Sequence, residues 1–215
     1  MSFLEPFSLP VLTEVVENGE ELADNLCEAA YQLRENDPNG KLISEAWHDK
    51  RRAKSPEDYD KFGYTSHGAY RLINDPRFND LHKTVVKQVE KYTNYCGSDP
   101  SFYLTNSWVS IYGRGHYAAE HIHGLSHLAC VFYGATTEGT GELVLRNPGF
   151  PAYGMVYGSG VALFNDRYQI RPKKGMMVIF PAHVAHYTNP HMADEDRIIF
   201  SCNAVFDESA FSGRH

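Results

Sequence analysis

Apolar positions along this chain fall into two textures. In the first they recur every three or four residues. "NGEELADNLCEAAYQLREN" sets Leu22, Leu26, Ala29 and Leu33 on one face of a helix that ends at "NDPNG". "NDPRFNDLHKTVVKQVEKYTNYCG" does the same with Phe78, Leu81, Val85, Val89 and Tyr92. Asp75 before Pro76 reads as an N-cap with proline at the first helical position, and Gly97 reads as the stop. Between the two predicted helices, "AWHDKRRAKSPEDYDKFGYTSHGAY" holds neither period, which predicts a loop with its basic run in solvent.

From Phe102 the texture changes. "SFYLTNSWVSIYG", "HLACVFYGA", "GELVLRNP", "GMMVIFP" and "DRIIFSCNAVF" are short, rich in aromatic and β-branched residues, and separated by Gly, Pro or Asn. Two helices followed by a run of short strands predict a mostly β, α+β fold in which helices buttress an antiparallel sandwich or jelly roll. No repeat or low-complexity tract divides the chain. We expect a single domain over 1–215, with 1–100 as a helical support region and 101–215 as the jelly-roll core.

Composition narrows the function classes. The 215 residues are 42% hydrophobic, enough for a sizeable core, and 20 Lys plus Arg stand against 27 Asp plus Glu for a net charge of -7. Such a chain lacks the basic field that binds a phosphate backbone, so nucleic acid is not an expected partner. No apolar run approaches the ~20 residues of a membrane span, and the opening residues lack a basic leader, so a cytoplasmic protein is expected. Cys27, Cys96, Cys130 and Cys202 are scattered without a CxxC pair, which predicts free thiols rather than disulfides or a thiolate zinc site.

The candidate chemistry lies in "EHIHGLSHLACVFYG". If Glu120 to His123 is extended, His121 and His123 point to one side and could share a metal ion. His186, just after "GMMVIFP", is the preferred third ligand. Three imidazoles with open positions beyond them make a set suited to Fe, Zn, Cu or Ni. His127 would share the face only if the strand ran on through Gly124, and His183 precedes the bend; both are weaker candidates. His48, His67, His82, His116, His191 and His215 read as surface or loop residues.

In "DRIIFSCNAVF" alternation sets Arg197, Ile199, Ser201 and Asn203 on one side, and Ile198, Phe200, Cys202 and Ala204 on the other. A guanidinium at the head of that face needs an anion, either a bound carboxylate or the nearby Asp194, Glu195 and Asp196. In "NSWVSIYGRGHY" alternation groups Asn106, Trp108, Ser110 and Tyr112. Asn106 and Tyr112 could donate to the same anion, while Trp108 reads first as core.

These segments resemble, in order and spacing, the Fe(II)- and 2-oxoglutarate-dependent oxygenases, and within them a group of small oxygenases of marine bacteria and phages. The resemblance rests on "NSWVSIYGRGHYAAEHIH", "HLACVFYGATTEGTGELVLRNP", "KKGMMVIFPAHVAHYTNP" and "DRIIFSCN", and extends loosely over the N-terminal half. It implies a double-stranded β-helix, Fe(II) and 2-oxoglutarate as cofactor and cosubstrate, and release of succinate and CO2 as O2 oxidises a substrate C–H bond. His121, His123 and His186 would be the metal ligands, with His123 where Asp is usual. Arg197 would pair with the far carboxylate of 2-oxoglutarate. The usual Ser or Thr two residues after that Arg is Ile199 here, which leaves Tyr112, Ser201, Asn203 or Asn106 to complete the cosubstrate site.

A His in place of Asp leaves an Fe(II) site at +2 instead of +1, with Glu120 and Glu142 as candidates to compensate. The substrate, a small molecule or a peptidyl residue, is not encoded in any motif, and homodimerisation stays open. "GRGHYAAE" and "NPGFPAYGMVYGSGVALFNDRYQIRP" are expected to flank the mouth. Two rivals share the fold: a cupin-type metal dioxygenase or isomerase, since "GHYAAEHIHGLSH" nearly fits the first cupin motif with His127 at its Glu position, and a non-catalytic jelly-roll binding or virion module.

Overall fold

The structure, a computed structural model, describes residues 9–37, 39–40, 63–67, 72–149 and 165–207. Residues 46–62 and 68–70 of the predicted loop, and 150–164 of the second expected mouth loop, lie outside them. In chain order the elements are β1 (Leu12–Val15), α1 (Gly19–Asn36), β2 (Tyr64–Thr65), α2 (Asn79–Tyr95), β3 (Phe102–Tyr112), β4 (Leu128–Ala135), β5 (Leu143–Arg146), β6 (Arg167–Ile170), β7 (Met176–Pro181), β8 (His186–Thr188) and β9 (Arg197–Phe206).

Among the described residues the strands form two antiparallel sheets, a larger one in the order β1-β7-β4-β9-β3-β2 and a smaller one in the order β6-β5-β8. This is the jelly roll with helical buttress that the sequence texture predicts. The period-2 pattern of the central strands explains the layering. Cys130, Phe132, Met177, Ile179, Ile198 and Phe200 point one way, into a core shared with Leu26, Ala30 and Leu33 of α1 and Val85 and Val89 of α2. Their neighbours Ala129, Tyr133, Val178, Phe180 and Ile199 point the other way, into a second core closed by Leu143, Leu145 and Ile170 of the smaller sheet.

The helices form where their apolar stripes predict. Asp75 accepts the Arg77 amide at 3.0 Å and Pro76 follows it, but Pro76–Phe78 is a 3-10 turn that leads into α2. Gly97 closes the helix with φ +71, a conformation costly for a residue with a Cβ.

One irregularity bears on the site. In the β3–β9 ladder Leu104 pairs with Ala204 and Ser107 with Cys202, so Thr105 and Asn106 together face Asn203. This bulge switches the parity of the strand: Phe102 and Leu104 before it and Val109 and Ile111 after it pack on the helix side, which carries Trp108, Ser110 and Tyr112 to the inner side.

Candidate metal centre

His121 and His186 are brought together by backbone pairing. Each donates its N–H to the other's carbonyl at 3.0 Å, and the His123 amide donates to Ala182 O at 2.9 Å. Residues 120–123 therefore form an isolated bridge instead of the continuous strand expected, yet the two-residue spacing still puts both imidazoles on one side. Ring nitrogens of His121, His123 and His186 lie within 4.8 Å of one another, the one such cluster of three among the described residues. Bonds of about 2.0–2.1 Å to an ion require a tighter set, which side-chain rotation can supply.

The tautomers suit ligation. Nδ1 of His121 faces Ala119 O at 2.7 Å, Nδ1 of His186 faces Val184 O at 2.9 Å, and Nδ1 of His123 faces Asn203 Oδ1 at 2.6 Å. All three partners are carbonyl oxygens and can only accept. Each Nδ1 then carries the proton, and Nε2 keeps its lone pair for a metal. Burial, reinforced by neighbouring His121, pushes His186 down to about 3, and burial also lowers His123. Both are neutral ligands at neutral pH.

The imidazoles open onto a cavity of about 280 Å³ between the sheets, lined by Trp108, Ser110, Tyr112, Tyr133, Leu143, Arg197, Ile199 and Ser201 among others. Tyr117, Ala118, Ala119 and Glu120 of the first expected mouth segment also line it. Arg197 is 1% exposed. It donates to Gly141 O at 3.1 Å and Thr188 Oγ1 at 3.2 Å, its guanidinium carbon lies 4.0 Å from the centre of the Tyr112 ring, and its Nε has no partner among the described residues. Burial lowers its hold on the proton, and Tyr112 and Tyr133 oppose that. The three acids next to it in sequence do not neutralise it. Asp194 pairs with Arg114 at 2.6 Å and Asp196 with Arg34 at 3.3 Å, and among the described residues no carboxylate lies within ion-pair distance of Arg197. A buried cation without a counter-charge is costly, and an anion in the cavity would relieve that cost.

The remaining expected site residues divide. Tyr112 lines the cavity against Arg197, and Ser201 lines it further along β9, opposite Trp108. Asn203 instead holds His123, and Asn106 stands behind it, accepting from Asn203 Nδ2 at 2.9 Å. Distance along the strands accounts for this, because Tyr112 pairs with Arg197 at one end of the β3–β9 ladder while Asn106 and Asn203 lie toward the other. Glu120 pairs with Arg146 at 2.7 Å and Glu142 accepts from Asn189 at 2.9 Å, so each carboxylate is engaged away from the imidazoles.

His127 accepts the Phe206 amide at 3.0 Å and stacks on its ring, outside the cluster. His82, His116 and His191, expected at the surface or in loops, are buried; His116 and His191 do lie in loops, whereas His82 sits on α2 with Nε2 2.9 Å from Ser107 Oγ, and His191 Nε2 donates to Glu195 O at 2.6 Å. Thr188 escaped the sequence reading. Its position two residues after His186 on one strand was the available signal.

Residues 106–203 match the model of the family described as "Putative 2OG-Fe(II) oxygenase". The solved structures similar to this fold include a Pseudomonas putida prolyl-4-hydroxylase (10% identity, TM-score 0.56, covering 93% of this chain and 94% of that one). A viral collagen prolyl hydroxylase from Paramecium Bursaria Chlorella virus-1 in complex with 2OG gives 13% identity and TM-score 0.54, covering 91% and 94%. A Trichoplax adhaerens prolyl hydroxylase in complex with a hypoxia inducible factor peptide fragment gives 13% and 0.54, covering 96% and 87%. At such identities the likeness speaks for the fold. No curated protein sequence matches the chain.

The jelly roll and the family match over residues 106–203 both set this chain beside the 2OG-Fe(II) oxygenases. The matched segment is similar to the 2OG-Fe(II) oxygenases, a family described by its Fe(II) and 2-oxoglutarate. Among the described residues no helix is long and apolar enough to cross a membrane.

Proposed function

We propose that His121, His123 and His186 hold Fe(II) and that Arg197 anchors the far carboxylate of 2-oxoglutarate in a hydroxylase-type oxygenase. The observation that carries this reading is the buried Arg197, without a carboxylate partner among the described residues, in the same cavity as three imidazoles whose outer nitrogens are all tied to carbonyls. With O2, the bound iron and 2-oxoglutarate supply oxidative decarboxylation to succinate and CO2, coupled to oxidation of a substrate C–H bond.

The chain's own residues bind, orient and exclude water. Ala119 O, Val184 O and Asn203 Oδ1 fix the three imidazoles in the tautomer that offers Nε2. Three neutral ligands leave the ion its full +2 charge, which with Arg197 favours a dianionic cosubstrate. Tyr112, Tyr133, Leu143 and Ile199 give the deep end an apolar wall, where few waters compete for the guanidinium.

The substrate is a small molecule or a peptidyl residue. The peptide complex of the Trichoplax neighbour makes the peptidyl option concrete without extending to this chain. A cytoplasmic setting suits an Fe(II) site and the free cysteines. The test is anaerobic titration with Fe(II) and 2-oxoglutarate. A metal-to-ligand charge-transfer band, then succinate release on admitting O2, is expected; well-folded protein giving neither would overturn the reading.

A further inference from the structure

Thr188 lies beside Arg197 at the deep end of the cavity and is 9% exposed. Its place follows from the strand. On β8, His186 pairs with Leu145 and Thr188 with Leu143, so the two side chains share the inward face, one toward the metal cluster and the other toward the guanidinium.

The Thr188 hydroxyl is fully committed as an acceptor. It takes the Ala118 N–H at 2.8 Å and an Arg197 Nη2–H at 3.2 Å, and both partners can only donate. A threonine oxygen has two acceptor positions and one proton, so that proton must go to a further acceptor. Among the described residues none receives it, and the remaining direction is the cavity. Ala118 is itself fixed, because its carbonyl accepts the Thr188 amide at 3.1 Å, and the next carbonyl, Ala119 O, holds His121. The short segment Ala118–His121 therefore clamps the hydroxyl and a metal-cluster imidazole at once.

We infer that Thr188 is the hydroxyl that completes the anion site, donating its proton to the same carboxylate that Arg197 neutralises. This rests on the cosubstrate reading above and assigns the hydroxyl that Ile199, two residues after Arg197, cannot supply. One charged and one neutral donor, already linked to each other, converge on a carboxylate with little left to reorganise. Thr188 is thereby a binding residue for a dicarboxylate and adds nothing to a ligand that only chelates the metal.

The experiment compares two ligands on Ni(II)-loaded protein by calorimetry. 2-Oxoglutarate carries the far carboxylate, whereas oxalate chelates the ion without one. Thr188→Val should weaken 2-oxoglutarate about 10- to 100-fold, the scale of a hydrogen bond to a charged group, and leave oxalate within about twofold. Thr188→Ser, which keeps the hydroxyl, should restore most of the 2-oxoglutarate affinity. Unchanged 2-oxoglutarate binding in Thr188→Val, or an equal loss for both ligands, would overturn the assignment, the second because it signals general loosening. Wild-type protein that binds oxalate but not 2-oxoglutarate would instead overturn the cosubstrate reading itself, and with it this one.

Discussion

His123 Nδ1 lies 2.6 Å from the side-chain oxygen of Asn203, the shortest of the three contacts that orient the imidazole cluster. The other two partners are main-chain carbonyls, so His123 alone is aimed by a side chain that mutation can remove. Asn203→Ala should leave the imidazole free to turn and lower Fe(II) affinity by about 10- to 100-fold, the usual effect of losing an outer partner. Anaerobic metal titration checks this, with Asn106→Ala expected to give a smaller loss because it acts through Asn203. Metal affinity unchanged in Asn203→Ala would separate His123 from the ligand set.

Arg197 sets stability against binding. A fully buried guanidinium held by Gly141 O, Thr188 Oγ1 and Tyr112, with no carboxylate partner among the described residues, costs free energy in the ligand-free protein. Arg197→Met fills similar volume without the charge, and such exchanges are neutral or stabilising by about 1–4 kcal/mol. The ligand-free variant should melt no lower than wild type and lose 2-oxoglutarate binding by about 100-fold or more, the scale of a deleted buried ion-pair partner. Thermal melts beside cosubstrate titrations test both halves. A variant that melts far lower would make Arg197 structural.

How much of this was legible in the sequence depends on whether neighbours along the chain carried the information. The apolar stripe of Leu26, Ala29 and Leu33, and the alternation of Ile198, Phe200 and Cys202 against Arg197, Ile199 and Ser201, are local periodicities, and the structure follows them. β8 was not legible, because "HYT" has too few apolar residues to register as a strand and exists by pairing with β5. With β8 missing, Thr188 had no face and could not be set beside Arg197. Nor could sequence decide whether Arg197 paired with Asp194 or Asp196, since the cations that take those acids, Arg114 and Arg34, come from distant parts of the fold. Asn106 was grouped with Tyr112 by alternation alone, which gives the face but not the distance along the strand, and the register sets it by Asn203 and His123.

Acid should destabilise the metal-free protein in a defined window. His186 is pushed down to about 3 in the folded chain and titrates near 6.5 when unfolded. Between those values the unfolded state binds a proton that the folded state refuses, so stability rises with pH through the window and falls as pH drops from about 6.5 toward 3. Lowered His123, His82 and His191 add to the slope with the same sign, each chiefly through burial. Melting temperature measured across this range should fall steadily on acidification, and His186→Gln, which never charges, should flatten the curve. A wild-type curve level from pH 7 to pH 4 would contradict the burial of these imidazoles.

Gly141 ties the cosubstrate end of the cavity to the backbone. Its carbonyl accepts from Arg197 at 3.1 Å, and a Cβ at this position would overlap the carbonyl oxygen of Asn189, just beyond β8. The atoms it would meet, those of Asn189 and the Pro190 carbonyl oxygen, are all main chain, so no side chain can rotate away to make room. Gly141→Ala must therefore push the two segments apart, at a cost on the order of 1–3 kcal/mol for an overpacked site. The displacement should also carry the 141 carbonyl off the guanidinium and weaken 2-oxoglutarate binding, while the imidazole cluster on the other side of Thr188 keeps its metal. Chemical denaturation and parallel titrations with Fe(II) and 2-oxoglutarate would read these effects separately. Full stability and full cosubstrate affinity in Gly141→Ala would mean that the chain does not make this close approach.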